Sequence, residues 1–152
     1  VGFTFPGHRQ ARSVGRRELT ARQLEAGNVS LTFVSRRLNR TYNTKGTLLR
    51  GILQTLWHMV SAAHQVFVVG TIQHDGTVVG GTGWSVELAR MWNKDLWVYC
   101  QQRKGWYHWE IDAWVAGEPR ITSDRICGTG TRKLEDHGRQ ALAALFERSF
   151  PG

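Results

Sequence analysis

The sequence predicts an α/β fold in which a parallel sheet is flanked by helices, and three observations predict it. Two apolar runs of strand length, residues 66–69 and 96–100, are rich in β-branched and aromatic side chains and lack polar alternation, as strands covered on both faces require. Helical periodicity precedes the first run and separates it from the second. A glycine cluster, Gly80-Gly81-Thr82-Gly83, opens the intervening helix, so residues 45–100 spell helix, strand, glycine loop, helix, strand. At 152 residues the chain can bury a core as one domain, and 41% hydrophobic residues with 7 Trp exclude a disordered chain. No apolar run approaches the roughly 20 residues of a membrane-spanning helix.

Taken in order, residues 2–5 alternate apolar side chains before Pro6-Gly7 and predict a short strand ended by a turn. Residues 9–43 are poorly periodic and predict irregular chain with helical turns near 19–25 and 33–38. Leu48, Leu49, Ile52, Leu53, Leu56, Trp57, Met59 and Val60 recur at helical spacing, which predicts a helix over about 45–63, capped by Asn43 or Thr44. After the 66–69 strand, Asp75-Gly76 marks a turn. The second helix is expected over 84–92, with Trp84, Val86, Leu88, Ala89 and Trp92 apolar and Asn93 closing it.

Beyond the 96–100 strand, Trp106, Tyr107, His108, Trp109, Trp114 and Val115 predict an aromatic β-hairpin. A loop over 117–125 leads to Gly128-Thr129-Gly130-Thr131-Arg132, a second glycine and hydroxyl loop. The final helix is expected from Lys133 or Gly138 to Arg148, burying Leu142, Leu145 and Phe146. The organisation expected is a basic, irregular arm with one short strand over 1–44 and a single α/β domain over 45–152.

The net charge of +8 belongs to the first third of the chain. Residues 1–50 carry ten cations against two glutamates, whereas residues 51–152 carry ten of each sign. Nine of those first ten cations are Arg, whose planar fork suits phosphates and carboxylates. Arg9, Arg12, Arg16, Arg17, Arg36, Arg37 and Arg40 are therefore the candidate contacts to an anionic partner, whether RNA, an acidic protein surface or a phosphorylated small molecule. Cys100 and Cys127 have neither metal-ligand spacing nor a second pair to build a disulfide framework, so no metal is expected and a reducing interior is the simpler setting, cytoplasm or mitochondrial matrix. A start at Val1 rather than Met suggests a processed product or an incomplete start.

The chemistry-bearing candidates are the two glycine loops. Gly80, Gly81, Thr82, Gly83 and Trp84 bring backbone amides together at a helix start, where an anion is favoured. Glu87, one turn on, is the candidate for a ribose hydroxyl contact or a general base. Gly128, Thr129, Gly130 and Thr131 form the second candidate cradle, with Arg132 as its phosphate-pairing fork. No serine elbow or paired Cys and His supports nucleophilic catalysis.

At these residues the chain resembles the SLOG superfamily of Rossmann-like nucleotide-sensing proteins, which includes lysine-decarboxylase-like phosphoribohydrolases and molybdenum-cofactor carrier-type proteins. The resemblance rests on Val66-Phe67-Val68-Val69-Gly70-Thr71, on Gly80-Gly81-Thr82-Gly83-Trp84-Ser85-Val86-Glu87-Leu88-Ala89, on Leu96-Trp97-Val98-Tyr99 and on Gly128-Thr129-Gly130-Thr131-Arg132. It runs over roughly residues 45–150 and 3–8. The hydrolases carry Pro-Gly-Gly-x-Gly-Thr-x-x-Glu; Gly80, Gly81, Gly83 and Glu87 match, while Val79 stands for the proline and Trp84 for the threonine. The resemblance thus implies a Rossmann-like fold and phosphate binding rather than hydrolysis. It also implies that the chain starts after the family's first strand and glycine-rich loop.

Two functional expectations follow. One is non-catalytic binding of an anionic nucleotide-like ligand between the two glycine loops. The other is a degenerate Rossmann-like accessory or scaffold subunit of a larger organellar or RNA-containing complex, contacting partners through its Arg-rich first third. Phosphoribohydrolase-like activity through Glu87 is the residual third.

Overall fold

A computed structural model of the chain describes residues 2–8, 15–42 and 47–152. Arg9 and Arg12, two of the candidate contacts, and the expected caps Asn43 and Thr44 lie outside the described residues. The chain divides into two compact units, Val1–Ala62 and Ala63–Gly152.

The first unit is more ordered in its secondary structure than its sequence suggests. Strand β1 (Gly2–Thr4) pairs in parallel with β2 (Arg16–Glu18), matching Phe3 to Arg17. Helix α1 (Ala21–Glu25) starts on a capping box: Thr20 Oγ1 accepts from the Gln23 amide at 3.2 Å while Gln23 Oε1 accepts from the Thr20 amide at 2.9 Å. Helix α2 (Asn28–Arg37) follows at once and ends at Asn39, whose φ of 52° is the left-handed turn asparagine tolerates. Helix α3 (Thr47–Ala62) packs on β1, α1 and α2. A Cβ on Gly27 would fall 2.6 Å from Trp57, and one on Gly51 would fall 2.6 Å from Phe5, so both glycines permit close approach. Gln54 Nε2 and the Tyr42 hydroxyl both donate to Asn28 Oδ1, and His58 Nε2 bonds the Gln23 carbonyl at 2.7 Å. These contacts group α3 with the N-terminal unit, whereas the sequence places it at the start of the α/β domain. The boundary between units accordingly falls after Ala62 rather than after residue 44. Leu48 and Leu49 are exposed despite their place in the apolar pattern.

The second unit is a Rossmann-like α/β layer structure. Its five-stranded sheet has the order β6 (Ala113–Ala116), β5 (Gly105–Glu110), β4 (Asp95–Cys100), β3 (Gln65–Gly70) and β7 (Ile126–Gly130). Strands β3, β4 and β7 run parallel, with β3 in the middle of the three and all six of its residues buried. Helix α4 (Thr82–Met91) makes the crossover from β3 to β4 and ends at Asn93 with φ 51°. Strands β5 and β6 are the expected aromatic hairpin, added antiparallel to β4. Helix α5 (Asp136–Ser149) closes the chain.

Alternation along the strands assigns the two faces. Phe67, Val69, Tyr99, Trp106, Ile121 and Leu145 form one buried cluster, so the odd-numbered residues of β3 and β4 face α5. Thr129 is in register with Val68 and bonds Ser85 of α4, so the even-numbered residues of β3 face α4. Leu145 takes the centre of the α5 contact at 1% exposure, which turns its neighbour Phe146 outward to 50%. The burial expected of Phe146 is thereby corrected. Gln65 starts β3 and fixes the route into β7: Oε1 accepts from the amides of Thr122 (2.8 Å) and Ser123 (3.2 Å), while Nε2 donates to Asp95 Oδ2 (2.7 Å) and the Arg120 carbonyl (3.1 Å).

Candidate functional site

The site is built from the end of β3. After Gly70 the chain makes a small excursion closed by an antiparallel bridge between Ile72 and Val78 and turned at Gly76, φ 83°. Asp75 Oδ1 accepts from both the amide and the hydroxyl of Thr77, and those bonds hold its carboxyl below the usual carboxylate range. Trp114 Nε1 clamps this turn from the hairpin by donating to the Gly76 carbonyl at 2.8 Å. The excursion delivers Val79 and Gly80 to the start of α4. Gly80 has φ 73°, the conformation that glycine adopts without strain.

The first turn of α4 faces the C-terminal end of β3. Thr82 is buried, and its Oγ1 donates to the Val79 carbonyl at 2.8 Å; a Cβ on Gly70 would lie 3.3 Å from that oxygen. The amides of Gly83 and Trp84 donate back to the carbonyls of Gly80 (3.1 Å) and Gly81 (3.2 Å). Among the described residues the amides of Gly81 and Thr82 have no such backbone acceptor. Gly80 and Gly81 are exposed, so this end of the helix opens outward.

The two glycine motifs meet through one hydrogen bond. Ser85 Oγ donates to the Thr82 carbonyl at 2.7 Å and lies 2.8 Å from Thr129 Oγ1, which therefore donates to it. Ser85 carries this link, and its signal in the sequence is a hydroxyl one turn into a helix that follows glycines. The second motif, however, is not a loop. Gly128, Thr129 and Gly130 lie in β7, because parallel pairing with Phe67, Val68 and Val69 draws them into the sheet. Only Thr131 and Arg132 follow the strand, and the Thr131 amide still bonds the Val69 carbonyl at 3.0 Å.

Gly128 and Gly130 face the other side of the sheet from α4. With Phe67, Val69, Leu142 and Phe146 they line an apolar cavity of about 250 Å³ between β7 and α5. The lining of that cavity includes none of residues 80–87. The expected single cleft between two glycine loops is thus replaced by an α4 mouth on one face and an apolar cavity on the other.

Glu87 is 1% exposed and makes an ion pair with Arg90, Oε1 to Nη1 at 2.8 Å. The Arg90 guanidinium in turn lies 3.8 Å above the Trp109 ring. Glu87 therefore orients a cation that anchors the aromatic hairpin to α4. Two histidine groupings lie elsewhere. His108 stacks on Trp97 and meets Asp95 (2.8 Å) and Glu110 (3.2 Å) at the start of β4, away from the mouth. His137 accepts from the Tyr99 hydroxyl at 2.9 Å through Nδ1 and donates to Glu135 through Nε2. Burial, foremost, and the negative charge of Glu135 push the Tyr99 hydroxyl above its ordinary pKa, so it stays a donor.

Both cysteines are free and buried, and burial pushes the Cys127 thiol up to about 11. Among the described residues no group of His, Cys, Asp and Glu is placed to hold a metal ion, and no helix is long and apolar enough to cross a membrane. In the first unit Arg16 and Arg17 are exposed on β2, and Arg36 and Arg37 are exposed in the last turn of α2, where cations complement the helix dipole; Arg40 is half-buried. No family model matches the chain, and no characterised protein or solved structure matches it either.

Proposed function

We propose that the second unit binds the phosphate of a nucleotide-like ligand at the start of α4, without chemical turnover, and that the chain is a SLOG relative. The observation that carries this reading is topological. Neighbouring parallel strands β3 and β7 lead into helices on opposite faces of the sheet, α4 and α5, which opens a crevice beyond their C-terminal ends. Gly81 and Thr82 offer amides beside that crevice, and the dipole of the ten-residue α4 favours an anion there. The ion pair of Glu87 with Arg90 supports binding over hydrolysis, since it already engages the carboxylate.

Thermal unfolding with a panel of nucleoside mono- and diphosphates tests the reading. Ligand at a hundred times its Kd stabilises the folded state by about 2.7 kcal/mol. Gly81→Asp places a carboxylate in the mouth, in open space that leaves the fold intact, and is expected to abolish the stabilisation. Equal stabilisation of wild type and variant, or none of wild type by any member, removes the proposed site.

A second reading, a contact surface for a larger assembly, is favoured by α2. Val29 (85% exposed), Phe33 (48%), Arg36 and Arg37 fall at helical spacing on one exposed stripe, apolar at one end and cationic at the other. Phe33→Asp with Arg36→Glu is expected to release the protein from a native complex without lowering its melting temperature. Wild-type protein migrating alone in native extracts would discard this reading.

A further inference from the structure

The main sheet ends in two edge strands, β6 and β7, and the β7 edge is the one beside the second glycine motif. Among the described residues strand β7 pairs only with β3, and the strand itself holds no proline, bulge or lysine, the usual devices against edge pairing. The Thr131 amide donates to the Val69 carbonyl, and the Arg125 carbonyl accepts from the amides of His64 (2.9 Å) and Gln65 (3.3 Å). Odd-numbered residues of β7 therefore turn their backbone groups to β3. By alternation, Ile126, Gly128 and Gly130 turn theirs outward.

The side chains along this edge have a two-fold pattern. Asp124, Ile126, Gly128, Gly130 and Arg132 are all exposed and occupy alternate positions. Laid antiparallel on itself about Gly128, the segment sets Ile126 against Gly130 of the other copy, a bulky side chain against open space. Just beyond the strand ends, where the chain bends at Asp124 and Arg132, the same two-fold arrangement brings the Asp124 end of one copy to the Arg132 end of the other, opposite charges at both ends. Ile126 is 41% exposed, and Phe146 (50%) and Phe150 (61%), stacked on each other, extend the apolar surface along α5 beside the β7–α5 cavity.

We propose that β7 pairs antiparallel with β7 of a second copy of this chain, about a two-fold axis through Gly128, making one continuous sheet across a homodimer. Backbone bonds of Ile126, Gly128 and Gly130 supply the pairing, and the Asp124–Arg132 pairs fix the register. The interface is isologous, so it closes at two copies.

The test is the oligomeric state by sedimentation equilibrium, with charge reversal and swap. Wild type is expected to be a dimer. Asp124→Arg and Arg132→Asp each set like charges together at both ends and are expected to weaken dimerisation about tenfold or more. The double variant restores opposite charges and should recover the dimer; its recovery also excludes misfolding as the cause in the singles. A monomeric wild type, a dimer indifferent to both single reversals, or a double variant as weak as the singles would each overturn the proposal. Gly81→Asp is expected to leave dimerisation unchanged, which separates this interface from ligand binding.

Discussion

Replacing Gln65 by leucine tests how the sheet is closed. The substitution keeps the side chain's bulk at a position only 4% exposed but removes an amide that makes four hydrogen bonds. Each neutral bond contributes about 1 kcal/mol net, and the bond to the Asp95 carboxylate about 2 kcal/mol. Part of this is recovered, because Thr122 and Asp95 reach solvent and can bond water instead. The expected net loss is about 3 kcal/mol. Urea unfolding read by tryptophan fluorescence should show a lower midpoint at unchanged slope. Amide exchange gives an independent readout: Thr122 and Ser123 should lose protection first, while Val66 and Val98 in the sheet interior keep theirs. A loss under about 1 kcal/mol, or exchange rising equally everywhere, would refute the idea that this one side chain anchors the return to β7.

Two further outcomes are expected. Burial raises the Cys127 thiol from 9.0 to about 11, so its contribution to stability is complete below pH 9 and is lost as pH rises through 11, a loss of about 3 kcal/mol. Stability of Cys127→Val should fall less over that interval, as followed by denaturant titration at each pH; equal slopes would contradict the assignment. Ile111, at the hairpin tip, has φ 57° and is 98% exposed, a left-handed conformation that costs an L-residue about 1–2 kcal/mol with no burial to offset it. Ile111→Gly is therefore expected to raise stability by about 1 kcal/mol, and calorimetry showing a decrease would mean that the isoleucine makes a contact of its own.

The parts of the fold that could be read in advance are those whose signal is local. Val66-Phe67-Val68-Val69 and Leu96-Trp97-Val98-Tyr99-Cys100 announce buried parallel strands, and the glycines before Trp84 announce where α4 begins. The dense aromatics of 106–109 and 114 likewise announce the hairpin. What escaped was set by partners distant in sequence. Ile126-Cys127-Gly128-Thr129-Gly130 has turn composition and becomes a strand only through its register with β3. Arg16-Arg17-Glu18 has no apolar face at all and is a strand through β1. Helix α3 was recognised, but its amphipathic pattern cannot say which layer it covers. The candidate site divides in the same way: Gly80, Gly81 and Thr82 lie at the helix mouth as their composition suggests, while Gly128 and Gly130 were separated from it by strand alternation.

The position of β7 also sets an order of events during folding. Strands β3 to β6 are laid down as neighbours in sequence, each against the one before, so their pairings close short loops. Strand β7 instead crosses back to the far side of β3, joining residues 65–69 to 126–130, the longest closure in the sheet. Its docking completes the central layer only after the hairpin and the Gln65-anchored connection are in place. Until then β3 has a bare flank, and a chain arrested at that stage can accept the β7 of a neighbour in place of its own.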